Sequence, residues 1–257
     1  MQQASVDDLD LLRSSLLDAG LVFLDGFHAV KHAVRFDADI QLVVCASQEK
    51  LRCLSTSLAP DISERLHDAA RLVHKRDIDA LSTMRSHWTG VWGVARRPTY
   101  AIEDVLESPL PVVLLENPQN RGNIGACIRV AAAANVGGVL ISGSADPWEP
   151  AVVRSAAGLQ FALPVVQVSS FEKFDRPIVA VDPEGHEIGT ERIPPRPILA
   201  FGTEREGLSD ELTRTASYRL RIPMRAGVSS VNLAVAVGVV LYLARLNGPP
   251  DAPLVME

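Results

Sequence analysis

Apolar residues along this chain follow two rhythms. Short unbroken apolar runs alternate with stretches in which apolar positions recur every three or four residues. The first rhythm marks strands buried on both faces, and the second marks helices with one buried stripe. The pattern predicts a helix over 7–19, a strand in "GLVFLDG" (20–26) and a helix near 27–35. A second strand follows in "IQLVVCAS" (40–47), then helices over 61–69 and 77–85 and a strand in "GVWGVARRP" (90–98). Residues 1–98 therefore read as one small α/β domain. The proline-bearing stretch 98–111 has little periodicity, so 99–110 is expected to be a linker. From 111 to 257 the alternation becomes regular. Strands are predicted in "PVVLLE" (111–116), "GGVLISG" (137–143), "LPVVQV" (163–168), "PIVAVDP" (177–183), "RPILAFG" (196–202) and "YRLRIP" (218–223). Helices fall at about 124–134, at 149–158, after Ser209 and over 230–246. Apolar strands alternating with helices imply a doubly wound α/β domain, its mostly parallel sheet covered on both faces.

Composition changes this picture little. The chain has 257 residues, 47% apolar and 22% charged, as in ordinary globular proteins. No signal peptide is evident, and the longest apolar segment, 233–244, falls short of the roughly 20 residues that span a bilayer. Cys45, Cys53 and Cys127 have no metal-like spacing and cannot all pair, which fits a reducing cytoplasm. A net charge of −6 argues against a protein that coats nucleic acid. Charge is uneven, however. Arg65, Arg71, Lys75, Arg76, Arg85, Arg96 and Arg97 outnumber Asp68, Asp77 and Asp79 within 65–97. That stretch is either a solvated surface or a track for phosphates.

Three predicted loops beyond strand carboxyl ends carry residues that turns alone do not require. Ligands of open α/β sheets sit at such ends. "ENPQNRGNIGACIR" (116–129) offers Asn123 as a helix cap, Gly122 and Gly125 for close backbone approach, and Arg129 less than two turns beyond Asn123. "FGTEREG" (201–207) brackets Glu204 and Glu206 between Gly202 and Gly207. "IPMRAGVSSVN" (222–232) places Ser229, Ser230 and Asn232 before a helix that is apolar nearly all round. Each alone is compatible with a plain capped turn. Neither a phosphate-cradling P-loop nor a dinucleotide G-x-G-x-x-G occurs.

Together and in this order the three resemble the motifs of the SpoU (TrmH-like) branch of the SPOUT RNA methyltransferases. "NRGNIGACIR" (120–129) fits N-x-G-N-x-G-x-x-x-R at every fixed position, and "GTEREGL" (202–208) fits G-x-E-x-x-G-L. "IPMRAGVSSVN" departs from I-P-M-x-G-x-x-x-S-L-N, with Arg225-Ala226 before Gly227 and Val231 in place of Leu. "FLDGFHAVKHAV" (23–34) is similar, more weakly, to the start of that family's N-terminal RNA-recognition domain.

The resemblance implies methyl transfer from S-adenosylmethionine to a ribose 2′-hydroxyl of tRNA or rRNA, without a metal. It implies a C-terminal trefoil knot and a homodimer built on the first-motif and final helices. Gly202, Ile222, Met224 and Val231 would contact the cofactor. Arg129 would activate the hydroxyl, with Asn123, Glu204, Ser230 and Asn232 organising RNA and loops; Ser229 is the alternative to Ser230. The competing reading is a binding protein of the same fold without turnover.

Overall fold

The computed structural model describes residues 1–79, 89–171, 174–190, 193–203 and 206–246. The chain divides into two compact units. The first is Met1–Thr99 with Asp146–Ala162, and the second is Tyr100–Ala145 with Leu163–Glu257.

The first unit holds α1 (Val6–Ser14), β1 (Leu21–Asp25), α2 (Phe27–Arg35), β2 (Ile40–Cys45), α3 (Gln48–Leu58), α4 (Ser63–Ala69), β3 (Ala70–Leu72), α5 (Lys75–Asp79) and β4 (Val91–Arg96). Its sheet runs β1-β4-β2-β3, with β4 antiparallel to both neighbours and β2 parallel to β3. β4 is central and buried along most of its length, as its continuous apolar run requires. Leu12, Phe23, Leu42, Val44, Ile78 and Trp92 form one core cluster. α1 begins in a reciprocal capping box between Ser5 and Asp8. α2 buries Phe27, Ala29, Val30, Ala33 and Val34 and leaves His28, Lys31 and Arg35 on its other face. α3 was not expected. It buries only Leu51 and Ser55, so its apolar stripe is too thin to mark a helix. Of the helix expected over 77–85, residues 80–85 lie outside the described residues.

The second unit contains α6 (Ile102–Glu107), β5 (Val112–Leu115), α7 (Arg121–Ala133), β6 (Gly138–Ser142), β7 (Val165–Val168), β8 (Ile178–Glu187), β9 (Ile198–Phe201), α9 (Asp210–Thr215), β10 (Tyr218–Arg221) and α10 (Leu233–Leu246). α8 (Pro150–Ser155) lies in the segment that groups with the first unit. The second sheet runs β10-β8-β9-β5-β6-β7, and every pairing in it is parallel. All four residues of β5 are fully buried, so the strand at the turning point of the topology is apolar on both faces.

Two boundaries differ from expectation. Residues 99–110 are not a bare linker, because they carry α6, whose Val105 belongs to the second unit's core with Leu114, Leu140 and Ile198. The reason lies far along the chain. Arg176, 7% exposed, sends its guanidinium to the carbonyls of Val105, Leu106, Ser108 and Leu110 at the end of α6. A cation there satisfies carbonyls that the helix leaves open. Burial, with the charge of Arg196 second, pulls the Arg176 guanidinium down to about 10. The second difference is that 146–162 leaves the second unit's sequence to join the first unit.

Candidate functional site

The three loops start from strand ends that the sheet aligns. Leu115 of β5 pairs with Phe201 of β9, so Glu116 and Gly202 leave the sheet side by side. Asn120, and not Asn123, caps α7, and its side chain accepts the Asn123 amide at 3.0 Å. Asn123 therefore sits in the first turn of α7. Its Oδ1 accepts a hydrogen bond from Nδ2 of Asn232 at 3.0 Å, across 109 residues of sequence. Asn232 stands immediately before α10. Its Oδ1 accepts the Ala234 amide at 2.9 Å and its carbonyl accepts the Ala236 amide at 2.9 Å. Asn232 thus caps α10. The starts of α7 and α10 are tied by one pair of amides, and Gly238 of α10 packs against Val130 of α7.

This link sets the path of the third loop. β10 is an edge strand separated from β5 by β8 and β9. At about 4.8 Å per strand, residues leaving β10 travel roughly 14 Å across the sheet before Asn232 meets Asn123. Ile222 and Met224 are half-buried on that path, whereas Ser229, Ser230 and Val231 are exposed. Val228 donates to the Arg225 carbonyl at 3.0 Å, closing a turn in which Gly227 has φ +85°. A glycine suits the third place of such a turn, so the Arg225-Ala226 departure shifts the glycine to where the left-handed conformation is needed.

The second loop closes on itself. Thr203 and Gly207 exchange backbone hydrogen bonds of 3.0 and 3.1 Å. A Cβ on Gly202 would lie 2.0 Å from the Gly207 carbonyl carbon, so only glycine fits there. Glu204 lies outside the described residues. Ser209 caps α9 as expected, its Oγ accepting the Leu212 amide at 3.1 Å. Glu116 was not singled out from sequence. It is 8% exposed, and its carboxylate accepts the Ser209 amide at 2.7 Å and the Ser209 hydroxyl at 2.6 Å. An acid ending a wholly apolar strand was the available signal.

Arg129 is exposed on α7 and, among the described residues, makes no ion pair. Arg225 is likewise exposed and unpaired among them. The basic stretch 65–97 behaves otherwise. Arg65 pairs with Asp37 at 2.7 Å, Arg96 with Asp39 at 3.0 Å, Arg97 with Asp146 at 2.9 Å, and Lys75 with Asp79 at 3.5 Å. Arg76 pairs with Asp77 at 3.7 Å, and Arg71 with Asp8. Arg85 lies outside the described residues. The possible phosphate track is therefore largely neutralised by carboxylates, several from elsewhere in the sequence.

The arrangement suits a ligand held by backbone and apolar contacts. Gly202, beyond the end of β9, and Ile222 and Met224, beyond the end of β10, are half-buried, and Gly207 and Gly227 have open space where a Cβ would point. Adenine and a thioether chain are bound in that manner, through backbone amides and small apolar surfaces.

Residues 111–242 match the model of the SpoU rRNA Methylase family. An uncharacterized tRNA/rRNA methyltransferase of Synechocystis sp. is 36% identical over 160 residues, 57% of this chain and 58% of its own length. A 23S rRNA (guanosine-2′-O-)-methyltransferase of Bordetella pertussis is 29% identical over 238 residues, covering 85% of this chain and 94% of that protein. The chain spans little more than half the length of the first curated relatives it matches, 53% to 60%. Among solved structures, a SpoU methyltransferase of Streptomyces viridochromogenes in complex with AdoMet superposes with a TM-score of 0.76 at 24% identity, over 96% of this chain and 100% of that one. That likeness is one of α/β fold with a mostly parallel sheet.

Proposed function

Since the chain belongs to the SpoU rRNA methylase family, we propose that it methylates a ribose 2′-hydroxyl of RNA, with S-adenosylmethionine as donor and 23S rRNA as the favoured substrate class. The observation that carries this reading is the Asn123–Asn232 bond. It joins the first and third motifs beside a parallel-sheet end that also presents Gly202.

Bound S-adenosylmethionine supplies an electrophilic methyl group on a sulfonium. That methyl group would pass in line to the ribose oxygen, with the carbon–sulfur electron pair remaining on the departing thioether. What the chain must add is alignment, a path for the hydroxyl proton and stabilisation of the developing alkoxide. Gly202, Ile222, Met224 and Val231 hold the donor. Arg129 faces the ribose oxygen. A guanidinium holds its proton at neutral pH, so Arg129 acts by charge and by positioning, and a phosphate oxygen of the RNA takes the proton. Asn123, Asn232, Ser230 and Glu204 set the loops around it.

The path of residues 222–232 across two strand ends is that of a chain crossing, and we place the trefoil knot there. α10 exposes Val235, Val239 and Tyr242 at helical spacing. A second copy of the chain covers that stripe in the homodimer. The first unit selects the RNA. An odd count of three cysteines suits a reducing cytoplasm.

The test is transfer of labelled methyl from S-adenosylmethionine to transcribed 23S rRNA, followed by alkaline hydrolysis. A 2′-O-methyl group blocks cleavage, so label in alkali-stable dinucleotides supports the reading. Label in mononucleotides, or none while donor binding is intact, overturns it.

A further inference from the structure

Glu116 is a buried acid that the reaction just described does not use. Its position is nevertheless specific. Its amide donates to the Phe201 carbonyl at 2.9 Å, which holds the near end of the 202–208 loop. Its carboxylate holds the far end, because Oε2 takes the Ser209 amide at 2.7 Å and Oε1 takes the Ser209 hydroxyl at 2.6 Å. Ser209 in turn caps α9 through the Leu212 amide. One residue ahead of the first motif thereby ties both flanks of the second motif, and between those flanks Thr203 and Gly207 bond to each other.

The residue type matters. Ser209 presents two donors to two separate oxygens, and a carboxylate offers two acceptors where an amide offers one. A carboxylate is costly to bury, and charge-assisted bonds to a helix start offset that cost. If a simple turn were all the chain needed, a neutral serine or asparagine would meet it with less desolvation.

We propose that Glu116 is a positioning residue for the cofactor, acting through Ser209 to hold Gly202, Thr203 and Gly207 in their donor-binding positions. This rests on the reading that the loop contacts S-adenosylmethionine. It makes Glu116 a determinant of donor affinity, with no part in RNA affinity and no contact with the reacting atoms.

The full chain carrying Glu116→Ala, Glu116→Gln or Ser209→Ala is compared with wild type by calorimetry with S-adenosylmethionine and by amide hydrogen exchange. Losing the pair of charge-assisted bonds raises the donor Kd about tenfold or more in Glu116→Ala. Glu116→Gln keeps the amide bond and lets the hydroxyl accept, so its Kd stays within about threefold. Ser209→Ala falls between. Exchange at Thr203 and Gly207 quickens in the same order, while the Kd for transcribed RNA stays at the wild-type value. At saturating donor, kcat recovers, which a general loss of fold would not allow. Unchanged exchange at Thr203 and Gly207 in folded Glu116→Ala overturns the proposal, as does RNA affinity that falls with donor affinity. If wild type binds no S-adenosylmethionine, the reading of the loop as a donor site fails, and the exchange measurement still decides whether Glu116 holds it.

Discussion

The basic stretch of the first unit and two motif arginines of the second hold positive charge in opposite ways, although Arg219 and Arg221 of the second unit are paired with Asp182 and Glu187. In the first, each described basic residue of 65–97 is matched by an aspartate, and Arg35 is matched by Asp61. In the second, Arg129 and Arg225 stand in or after motif loops and are exposed with no ion pair among the described residues. A run of lysine and arginine is conspicuous in sequence, but exposed ion pairs of this kind dissipate its field and contribute little else. A lone arginine in a small apolar helix is inconspicuous by count, and its charge stays available. Cations useful to an RNA enzyme are thus better found by asking which have no partner than by counting them.

The largest expected effect comes from removing an unmatched charge. Arg129→Ala is expected to lower kcat for methyl transfer about 100-fold or more, the usual cost of one oxyanion-stabilising donor. Its unfolding free energy should stay within about 0.5 kcal/mol of wild type, since the side chain is exposed. Arg129→Lys should recover little of that rate, because a point charge does not reproduce a planar fork. Near-normal turnover in the lysine variant would remove the positioning role.

Arg176 extends the contrast to a cation that is buried and has carbonyls for partners. Arg176→Ala leaves the end of α6 unsatisfied and should cost about 2–4 kcal/mol in urea unfolding. Donor affinity in the folded fraction should not change. Next comes the amide pair. Asn123→Ala and Asn232→Ala should each slow turnover at least about tenfold, and Asn232→Ala should lose a further ~1 kcal/mol of stability through its cap. A double-mutant cycle should show the two substitutions to be non-additive.

In the first unit, His32 supplies a pH test. Burial lowers its imidazole to about 4, and its Nδ1 lies 2.7 Å from the Ala157 carbonyl. A group depressed on folding takes up its proton more readily when unfolded, so stability is full above about 6.5 and falls as pH drops toward 4. Allowing for solvent screening at a partly exposed ring, the loss is about 1–2 kcal/mol. Chemical denaturation at pH 7 and pH 4.5 reads it, and His32→Gln should flatten the dependence. The smallest effect is expected from the matched cations. Replacing Arg65 and Arg96 together by alanine should change RNA affinity less than about threefold, whereas Arg225→Ala should reduce the salt slope of binding by about one.

Strands were the most legible part of the sequence, and the reason is visible in β5 and β9, where every residue is buried and the apolar run has no gap. α3 and β3 were not legible, the first for want of an apolar stripe and the second because three residues carry no period. α6 was hidden because what makes it part of a core is Arg176, some seventy residues later. At the site, motif spacing located the loops, but the roles of the asparagines shifted by one helical turn or less. Asn120 caps α7 where Asn123 was a candidate, and Asn232 caps α10. Local sequence allows several caps, and tertiary contact between Asn123 and Asn232 selects among them. Glu116 was missed because its partner, Ser209, is 93 residues away.

The most direct measurement is a crystal structure of the full chain with S-adenosylhomocysteine. Adenosine and the thioether seated between residues 202–208 and 222–231, with an Arg129 guanidinium of either subunit facing the sulfur, is the expected result. The product bound elsewhere, or Arg129 of every subunit turned away from it, contradicts the assignment of the site.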